Sequence, residues 1–578
     1  MFDPKSQARV FAVSPGIDFA EALVDGVMRR TQAYSAEEFA KIDLYVNTSR
    51  MQRRVREAFQ SKGALLLPKI MLITDFSNSP TAFDLAPAVN PLRRRLELSA
   101  FIAKLVEREP ELAPRSAIFD LSDSLATLMD EMHGEGVKPA ELANLDVSDQ
   151  SGHWERSLKF LRIITPFFDE SGAAPDKEAR QRLVIEGVTN AWKESPPSNP
   201  VIVAGSTGSR GATSLLMDAA AYLPQGAVVL PGFDTEMPEQ VWDAMRGPTT
   251  VDDHPQYRFQ QLMSRLNLAV GEIEAWSDHT PPDQMRNKLV SLSLRPAPVT
   301  SQWLEEGPKL GGLVELTKSL TMVEAESPRA EAEAIALRLR FAAQEGQKAV
   351  LISPDRMLTR QVTAALDRWG IVPDDSAGMP LALSPPGRFL NQCADLLHGP
   401  LSTEQLLALL KHPLCHADGD DRGEHLRLTR ELELHLRQSA VLQPSISSLR
   451  HWANSNSVNE WLDWLEKLVF SNHEAPNRAL SDTLALHINL TERLSAGPAQ
   501  NGSGALWKEA AGREALRICE ELKDAADALE HISTHDYLAL FRALMSKGSV
   551  RGQDEVYGNI LILGTLEARV ETAEITIL

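Results

Sequence analysis

The sequence predicts an α/β protein built from two parallel-sheet domains, each interrupted by a helical insertion. Short apolar runs alternate with helix-like segments at the start of the chain, again after residue 195, and once more after residue 300. Long stretches with helical periodicity and few β-branched runs lie between them. Alternating strands and helices favour parallel sheets, because a crossover helix returns the chain to the edge where the preceding strand began.

Composition limits the classes of protein to which the chain can belong. Of its 578 residues, 43% are hydrophobic and 24% are charged, which is typical of a globular protein. This length is sufficient for roughly four domains of about 150 residues. No apolar run reaches the roughly 18 residues of a membrane span, and the N-terminal residues lack the pattern of a secretory signal. We therefore expect a cytoplasmic protein with no membrane partner.

Charge and cysteine spacing restrict the possible ligands. The formal net charge of -20 argues against a surface that coats nucleic acid, although a local basic channel needs only a few Lys and Arg residues. The three cysteines, Cys393, Cys415 and Cys519, lack the paired spacing of zinc or iron-sulfur sites. The spacing therefore indicates buried free thiols, and we expect no cofactor in this chain.

The first predicted strand, turn and helix have the layout of a nucleotide-binding loop. The stretch ARVFAVSPGIDFAEALVDG contains an apolar run, a Ser-Pro-Gly turn and a segment with helical periodicity. A working loop needs a Lys for the outer phosphates, whereas the next Lys after this turn is Lys41. Asp18 and Glu21 have the spacing of a capping box and would repel a polyphosphate. The degenerate nucleotide loop comprises Ser14, Pro15, Gly16 and Asp18.

A second predicted strand lacks the acidic residues of an ATPase. The Pro-rich stretch KESPPSNP is followed by an apolar strand, residues 201–205, and by Ser206 and Thr207. In a nucleotide-hydrolysing enzyme such a strand ends in carboxylates that hold Mg²⁺. Both the Lys and the acids of an ATPase are thus missing, and we assign no catalytic residue.

The remaining elements complete the two domains. A Pro-rich stretch from SDHTPPDQM to RPAPVT indicates a linker. Beyond it, LTMVEAES and KAVLIS read as strands, and Pro328 is placed to begin a helix. The terminal residues ITIL are interpreted as a buried strand, which suggests the front part of a longer protein. The first domain comprises residues 1–90 and 195–300 with the insertion 91–194, and the second comprises 301–400 and 548–578 with the insertion 401–547.

Several segments together resemble one family of proteins. These segments are spread from residue 14 to the C-terminus. They are SPGIDFAEAL, GSTGSRGATSLLMDAAAYLPQGAVVLPGFD, HPQYRFQQLMSRL, RWGIVPDDSAGMPL, LLALLKHPL and ILGTLEARVETAEITIL. In this order they are similar to the AddB family of alphaproteobacteria, whose members carry two RecA-like domains of superfamily 1 helicase type.

The resemblance implies a function in double-strand break repair by homologous recombination. AddB subunits form a heterodimer with an AddA-type subunit that hydrolyses ATP, and the complex unwinds and degrades broken DNA as a helicase and exonuclease. The AddB helicase core is commonly inactive as a motor and scans single-stranded DNA for a hotspot sequence. The family's nuclease domain, with its iron-sulfur cluster and Mg²⁺, would follow Leu578.

The resemblance and the positions of polar residues at strand ends predict a DNA-binding surface. The helix SRMQRRVREAFQ carries four arginines within two turns, next to strand-end hydroxyls that suit a phosphate backbone. An equally valid interpretation is a solvated charged face, and a tight turn explains the second loop equally well. The candidate DNA-binding residues are Thr48, Ser49, Arg50, Arg53, Arg54, Thr207, Ser209 and Arg210.

Other polar groups are interpreted as structural. Arg356 and Arg360 follow a strand and are expected to be structural or to face DNA, while Asp374 and Asp375 are expected to form a turn rather than a metal site. The histidines lie in unrelated contexts. Two alternatives to a silent helicase-like subunit stay open, a true ATP-dependent helicase and an interaction scaffold without a DNA role.

Overall fold

The structure is a computed structural model that describes most of the chain. The described residues are 1–3, 7–63, 66–78, 82, 85–143, 160–168, 174–208, 211–246, 252–417, 421–456, 458–471, 477–498, 502–550 and 557–578. Within them, no helix is both long enough and apolar enough to cross a lipid bilayer.

The described residues form twelve strands. They are β1 (Val10–Val13), β2 (Asp43–Val46), β3 (Lys69–Leu72), β4 (Val201–Ala204), β5 (Gly226–Pro231), β6 (Glu274–Ala275), β7 (Ala349–Ile352), β8 (Pro373–Asp375), β9 (Met379–Pro380), β10 (Ser549–Val550), β11 (Tyr557–Leu563) and β12 (Ile575–Ile577).

The α-helices of the first half of the chain are α1 (Phe19–Arg30), α2 (Ala36–Phe39), α3 (Ser49–Ser61), α4 (Pro91–Arg108), α5 (Ile118–Glu135), α6 (Pro139–Ala143), α7 (Lys177–Glu194), α8 (Gly211–Tyr222), α9 (Glu239–Ala244), α10 (Tyr257–Leu266) and α11 (Gln284–Ser293). Those of the second half are α12 (Gln302–Glu306), α13 (Leu313–Thr317), α14 (Pro328–Gln344), α15 (Arg356–Asp367), α16 (Pro385–Ala394), α17 (Thr403–Leu410), α18 (Arg422–Gln438), α19 (Ile446–Asn456), α20 (Asn459–Leu465), α21 (Leu480–Ala496), α22 (Glu509–Asp524) and α23 (Thr534–Lys547).

The first sheet has six parallel strands in the order β3-β2-β4-β5-β1-β6. Its central strands β4 and β5 are buried at every residue, which explains their continuous apolar runs, since a parallel sheet is covered on both faces. One face packs against α1, α3 and Trp276. The other packs against α7, α8 and α10. The parallel α/β prediction for this unit is confirmed.

The second sheet has four parallel strands in the order β12-β7-β11-β8. Helices α14 and α15 cover one face with small and branched side chains. Pro328 occupies the first turn of α14, and the Ser327 side chain accepts a hydrogen bond from the Ala330 amide, so the predicted helix start is confirmed. A two-stranded antiparallel ladder of β9 and β10 lies outside this sheet.

Two helical cores accompany the sheets. The smaller one is built on α4 and α5 around Leu98, Ile102 and Met129. The larger, Leu-rich core contains most of the chain from residue 381 to residue 550, and Leu92 and Leu96 of α4 are part of it. Helix α4 therefore belongs to both cores and joins the two halves of the molecule.

Three local expectations are wrong. The stretch LTMVEAES forms no strand, and Met322 and Val323 are 90% and 70% exposed. The predicted linker contains a regular helix, α11. Strand β12 pairs only with β7 and is half-exposed, so ITIL is an edge strand rather than a buried one. In each case the pattern was local, whereas burial depends on which strands and helices lie beside it.

Candidate functional site: the contact between the two sheet units

The degenerate nucleotide loop connects β1 to α1 and is contacted by other parts of the chain. The Asn287 side chain donates a hydrogen bond to the Pro15 carbonyl at 2.8 Å. Gly16 has a φ of +82°, a backbone conformation that favours glycine. The Ser14 hydroxyl lies 3.3 Å from that of Thr235. The loop keeps the strand-turn-helix layout, and one of its contacts comes from Asn287, within the stretch predicted to be a linker.

Asp18 caps α1, as its spacing predicts. Its carboxylate accepts a hydrogen bond from the Glu21 amide at 3.1 Å. The reciprocal half of a capping box is not formed, because the Glu21 carboxylate lies 3.6 Å from Lys62 Nζ instead. A carboxylate therefore occupies the position at which a phosphate would meet the helix N-terminus.

Asp18 also connects the first sheet unit to the second. It accepts hydrogen bonds from Arg54 at 2.8 Å and from the Thr572 hydroxyl at 2.6 Å. Burial, the largest single effect, raises the pKa of Asp18, but the hydrogen bonds from Thr572 and Glu21 and the charges of Arg54 and Lys348 bring it below its usual value. Asp18 is therefore ionised at neutral pH.

Glu571 is the centre of the contact. Only 2% of its side chain is exposed, and it is surrounded by three cations. Arg54 Nε lies 3.5 Å and Arg50 Nη1 3.9 Å from its carboxylate oxygens, and Lys348 forms a short ion pair with it. Because a buried carboxylate needs such compensation, Glu571 holds the cations of both units in place.

Arg50 completes a charge-balanced cluster. Its guanidinium donates a hydrogen bond to Asp374 of β8 at 3.0 Å. The cluster thus contains three cations and three carboxylates, which are Arg50, Arg54, Lys348, Asp18, Asp374 and Glu571. We call these six residues the contact cluster. Its formal charge is zero, so it offers no excess positive charge to a polyphosphate.

Helix N-termini near strand ends are capped by protein side chains. Thr48 accepts a hydrogen bond from the Met51 amide at the start of α3, and Asp355 caps α15. Glu135 of α5 accepts a hydrogen bond from the Gly211 amide at the start of α8 at 2.9 Å. Without these caps, the backbone amides at the helix N-termini would be free to bind an anion.

The loop after β4 is a tight turn. Gly205 and Gly208 have positive φ angles, and the Ser206 hydroxyl accepts a hydrogen bond from the Gly208 amide at 3.1 Å. Arg569 of the second unit donates to the Thr207 hydroxyl at 3.4 Å. Ser209 and Arg210, the other two candidates in this loop, lie outside the described residues.

The candidate DNA-binding residues of α3 divide into two sets. Thr48 is a cap, and Arg50 and Arg54 belong to the contact cluster. Ser49 and Arg53 are exposed, as is Arg56 one turn further on. No local sequence pattern links Lys348, Glu571 or Thr572 to residues hundreds of positions earlier. The sequence alone therefore does not predict their part in this contact.

Arg356, Arg360 and Asp375 lie close together, and both arginines are exposed. Arg356 and Arg360 line one pocket of about 220 Å³ together with Asp375 and Lys547. Arg356 lies 3.7 Å from Asp375, and the Asp375 carboxylate accepts a hydrogen bond from the Ala377 amide, as in a turn. In the part of the chain that the structure describes, no three His, Cys, Asp or Glu side chains form a metal-binding group.

The three cysteines are core side chains. All three are free and buried, as the spacing predicts. Burial raises the pKa of Cys415 and of Cys519 to about 12, whereas cluster ligands are thiolates. These thiols act as core side chains.

No protein-family model matches the chain, and no curated protein matches it significantly.

Proposed function

We propose that the chain is a helicase-like subunit without motor activity, which binds single-stranded DNA in an AddAB-type helicase-nuclease complex. An AddA-type partner would hydrolyse ATP, and the complex would process double-strand breaks in the cytoplasm for recombinational repair. In this proposal the two parallel-sheet units are RecA-like domains, and the subunit scans the passing strand for a hotspot sequence.

The contact cluster is the observation that supports the absence of a motor. In a motor of this type, the cleft between two sheet units holds nucleotide, a Lys and Mg²⁺-binding acids. Here Asp18 occupies the helix N-terminus that a phosphate would use, and Thr572 and Arg54 bind it. Nucleotide would have to displace a balanced set of ion pairs that includes the buried Glu571.

DNA contact in this proposal depends on the exposed arginines of α3. Arg53 and Arg56 are exposed and form no ion pair with a described residue. Guanidinium groups at a strand end can bind phosphates without reading bases. Arg54, by contrast, holds Asp18 and Glu571, so its removal would chiefly affect the contact between the units.

The absence of a motor is tested by measuring nucleotide turnover and binding. With millimolar ATP, Mg²⁺ and single-stranded DNA, the purified chain should release no phosphate above the rate of a buffer control. ATP should also leave its melting temperature unchanged, because we expect no ATP to bind. A ligand that does bind, at about 100 times its Kd, would stabilise the fold by about 2.7 kcal/mol. Sustained turnover would support a true helicase instead.

DNA binding is tested with fluorescent oligo(dT) at several salt concentrations. The double variant Arg53→Ala/Arg56→Ala should bind less tightly and should lose roughly 1.4 from the slope of log affinity against log salt, since each single-strand phosphate contact contributes about 0.7. The double variant Arg430→Ala/Arg513→Ala, at exposed residues of α18 and α22, is the matched control. Binding that is absent, or that ignores both salt and the double variant of α3, would favour a scaffold without a DNA role.

A further inference from the structure

The solvent face of α14 combines exposed apolar side chains with arginines. Ala336, Leu339 and Ala343 of this helix are buried against the second sheet. Leu337 and Phe341, one turn apart on the opposite face, are 54% and 53% exposed. Large apolar side chains grouped on a surface, rather than scattered singly, mark interaction sites.

One arginine lies beside this apolar pair, and two others lie beside Trp369. The Arg338 guanidinium lies 5.6 Å from the centroid of the Phe341 ring. Arg340 and Arg368 lie 4.7 Å and 5.1 Å from the centroid of Trp369, which follows α15. We call these residues the basic-aromatic face: Leu337, Arg338, Arg340, Phe341, Arg368 and Trp369.

No described carboxylate neutralises the positive charge of this face. Arg338, Arg340 and Arg368 form no ion pair with any residue that the structure describes. This contrasts with Arg50 and Arg54, whose charges carboxylates balance. In a chain of net charge -20, three such arginines on one face are a local excess that attracts an acidic ligand.

The aromatic rings favour a peptide over nucleic acid as the ligand. Binding of single strands uses aromatic faces on which bases stack. Here guanidinium groups already cover Phe341 and Trp369, and the centre of the exposed patch includes the aliphatic Leu337. Guanidinium groups form bidentate hydrogen bonds with carboxylates, and the exposed Leu337 and Phe341 can contact one apolar side chain of the same peptide.

We propose that the basic-aromatic face binds an acidic segment of a partner protein, with Asp or Glu carboxylates on Arg338, Arg340 and Arg368 and an apolar anchor on Leu337 and Phe341. This surface shares no residue with α3 or with the contact cluster. The proposal therefore does not depend on DNA binding or on the absence of a motor.

The test uses the full chain and a fluorescein-labelled 14-residue peptide of Glu, Asp, Leu and Phe. The peptide should bind, binding should weaken as NaCl rises, and a peptide with Lys at every acidic position should not bind. Arg338→Glu and, separately, Phe341→Ser should each weaken binding about tenfold or more while leaving the melting temperature unchanged, because both side chains are exposed.

A matched control separates a site from general charge attraction. Arg430→Glu introduces the same charge change at an exposed residue of α18 and should leave peptide affinity unchanged. Equal weakening by Arg430→Glu, or no peptide binding, overturns the proposal. So does a loss of oligo(dT) binding in Arg338→Glu without loss of peptide binding, which would make the face a nucleic-acid site. Because oligo(dT) binding is measured separately, failure here leaves the proposed function standing.

Discussion

The buried carboxylate of Glu571 lies 3.5 Å from the Nε atom of Arg54, a residue of the other sheet unit. Arg54 in turn donates a hydrogen bond to Asp18, which caps the helix after the degenerate nucleotide loop. The position that would bind phosphate in a motor is thereby linked to the second unit by ion pairs of the protein itself. The Asp18 carboxylate therefore lies where a phosphate would meet the N-terminus of α1, and Arg54 and Thr572 donate hydrogen bonds to it.

Replacing Glu571 tests how strongly the contact cluster joins the units. Glu571→Gln should lower the free energy of unfolding by about 3 kcal/mol, because removal of one member leaves buried charges without compensation. Arg54 would then keep Asp18 and Glu57, and Arg50 would keep Asp374, whereas Lys348 would lose the ion pair with Glu571. Urea unfolding at neutral pH measures the difference.

The control for this variant is Glu324→Gln, at an exposed residue. It removes the same charge and should change stability by no more than about 0.5 kcal/mol. Similar losses for both variants would mean that net charge, rather than the contact, determines the effect.

Local patterns predicted the elements of the fold but not the contact. The strand Val10–Val13, the cap at Asp18 and the start of α14 at Pro328 each depend on neighbours within a few residues. The partnership of Asp18 with Thr572 depends on how two sheets are placed in space. No periodicity in the sequence carries that information.

The difference between local patterns and contacts in space also explains which arginines of α3 are exposed. Its periodicity predicted α3, and four exposed arginines were a reasonable expectation for an isolated helix. Arg50 and Arg54 instead face Asp374 and Glu571, so only Arg53 and Arg56 keep the exposed position. Which arginines of a charged helix face solvent is decided by the neighbouring unit.

Gly26 is required by the close approach of Trp276 to α1. A Cβ atom at this position would lie 2.1 Å from Trp276 Nε1, and that nitrogen donates a hydrogen bond to the Leu23 carbonyl. Gly26→Ala should therefore lower the free energy of unfolding by about 1–3 kcal/mol, as overpacking of a core does, despite the higher helix propensity of Ala.

Gly271→Ala is the control, since an added Cβ at that residue meets no atom within 4 Å. Its thermal unfolding should match that of the unmodified chain. A Gly26→Ala protein as stable as this control would show that Trp276 moves aside without cost.

Buried histidines should make the protein sensitive to acid. Burial, with a smaller effect of the charges of His416 and Arg422, lowers the pKa of His425 to about 4 despite the opposing hydrogen bond to the Leu410 carbonyl. The His425 Nδ1 atom accepts a hydrogen bond from Trp461, which can only donate. Protonation of Nδ1 would therefore break this contact.

The sign of the effect follows from the direction of the shift. The folded state holds His425 neutral. Its contribution to the free energy of unfolding is therefore complete above the unfolded-state pKa of about 6.5, and it is lost as pH falls towards the lower pKa of the folded state. Stability should decline between about pH 6.5 and pH 4 by roughly 1.4 kcal/mol per pH unit for each such group. His412 and His487, with pKa values also lowered to about 4 by burial, add to the slope.

Urea unfolding at pH 7.5, 6.5, 5.5 and 4.5 measures this slope. His425→Gln should be less stable at pH 7.5 but should lose less stability on acidification. His531→Gln, at an exposed residue, should keep the original slope. An unchanged slope in His425→Gln would assign the acid sensitivity to other groups.

Helix α4 should couple the two halves of the molecule. Leu96 of α4 is fully buried in the larger helical core, although the rest of the helix packs on α5. Leu96→Ala should lower the free energy of unfolding by about 2–5 kcal/mol through the cavity that it creates. Native-state hydrogen exchange measures separately the opening of α21 in the larger helical core and of β4 and β5 in the first sheet.

The two opening free energies should fall together in Leu96→Ala. Lys104→Ala, at an exposed residue of the same helix, should leave both within about 0.5 kcal/mol. A fall confined to α21 would mean that the two halves open independently.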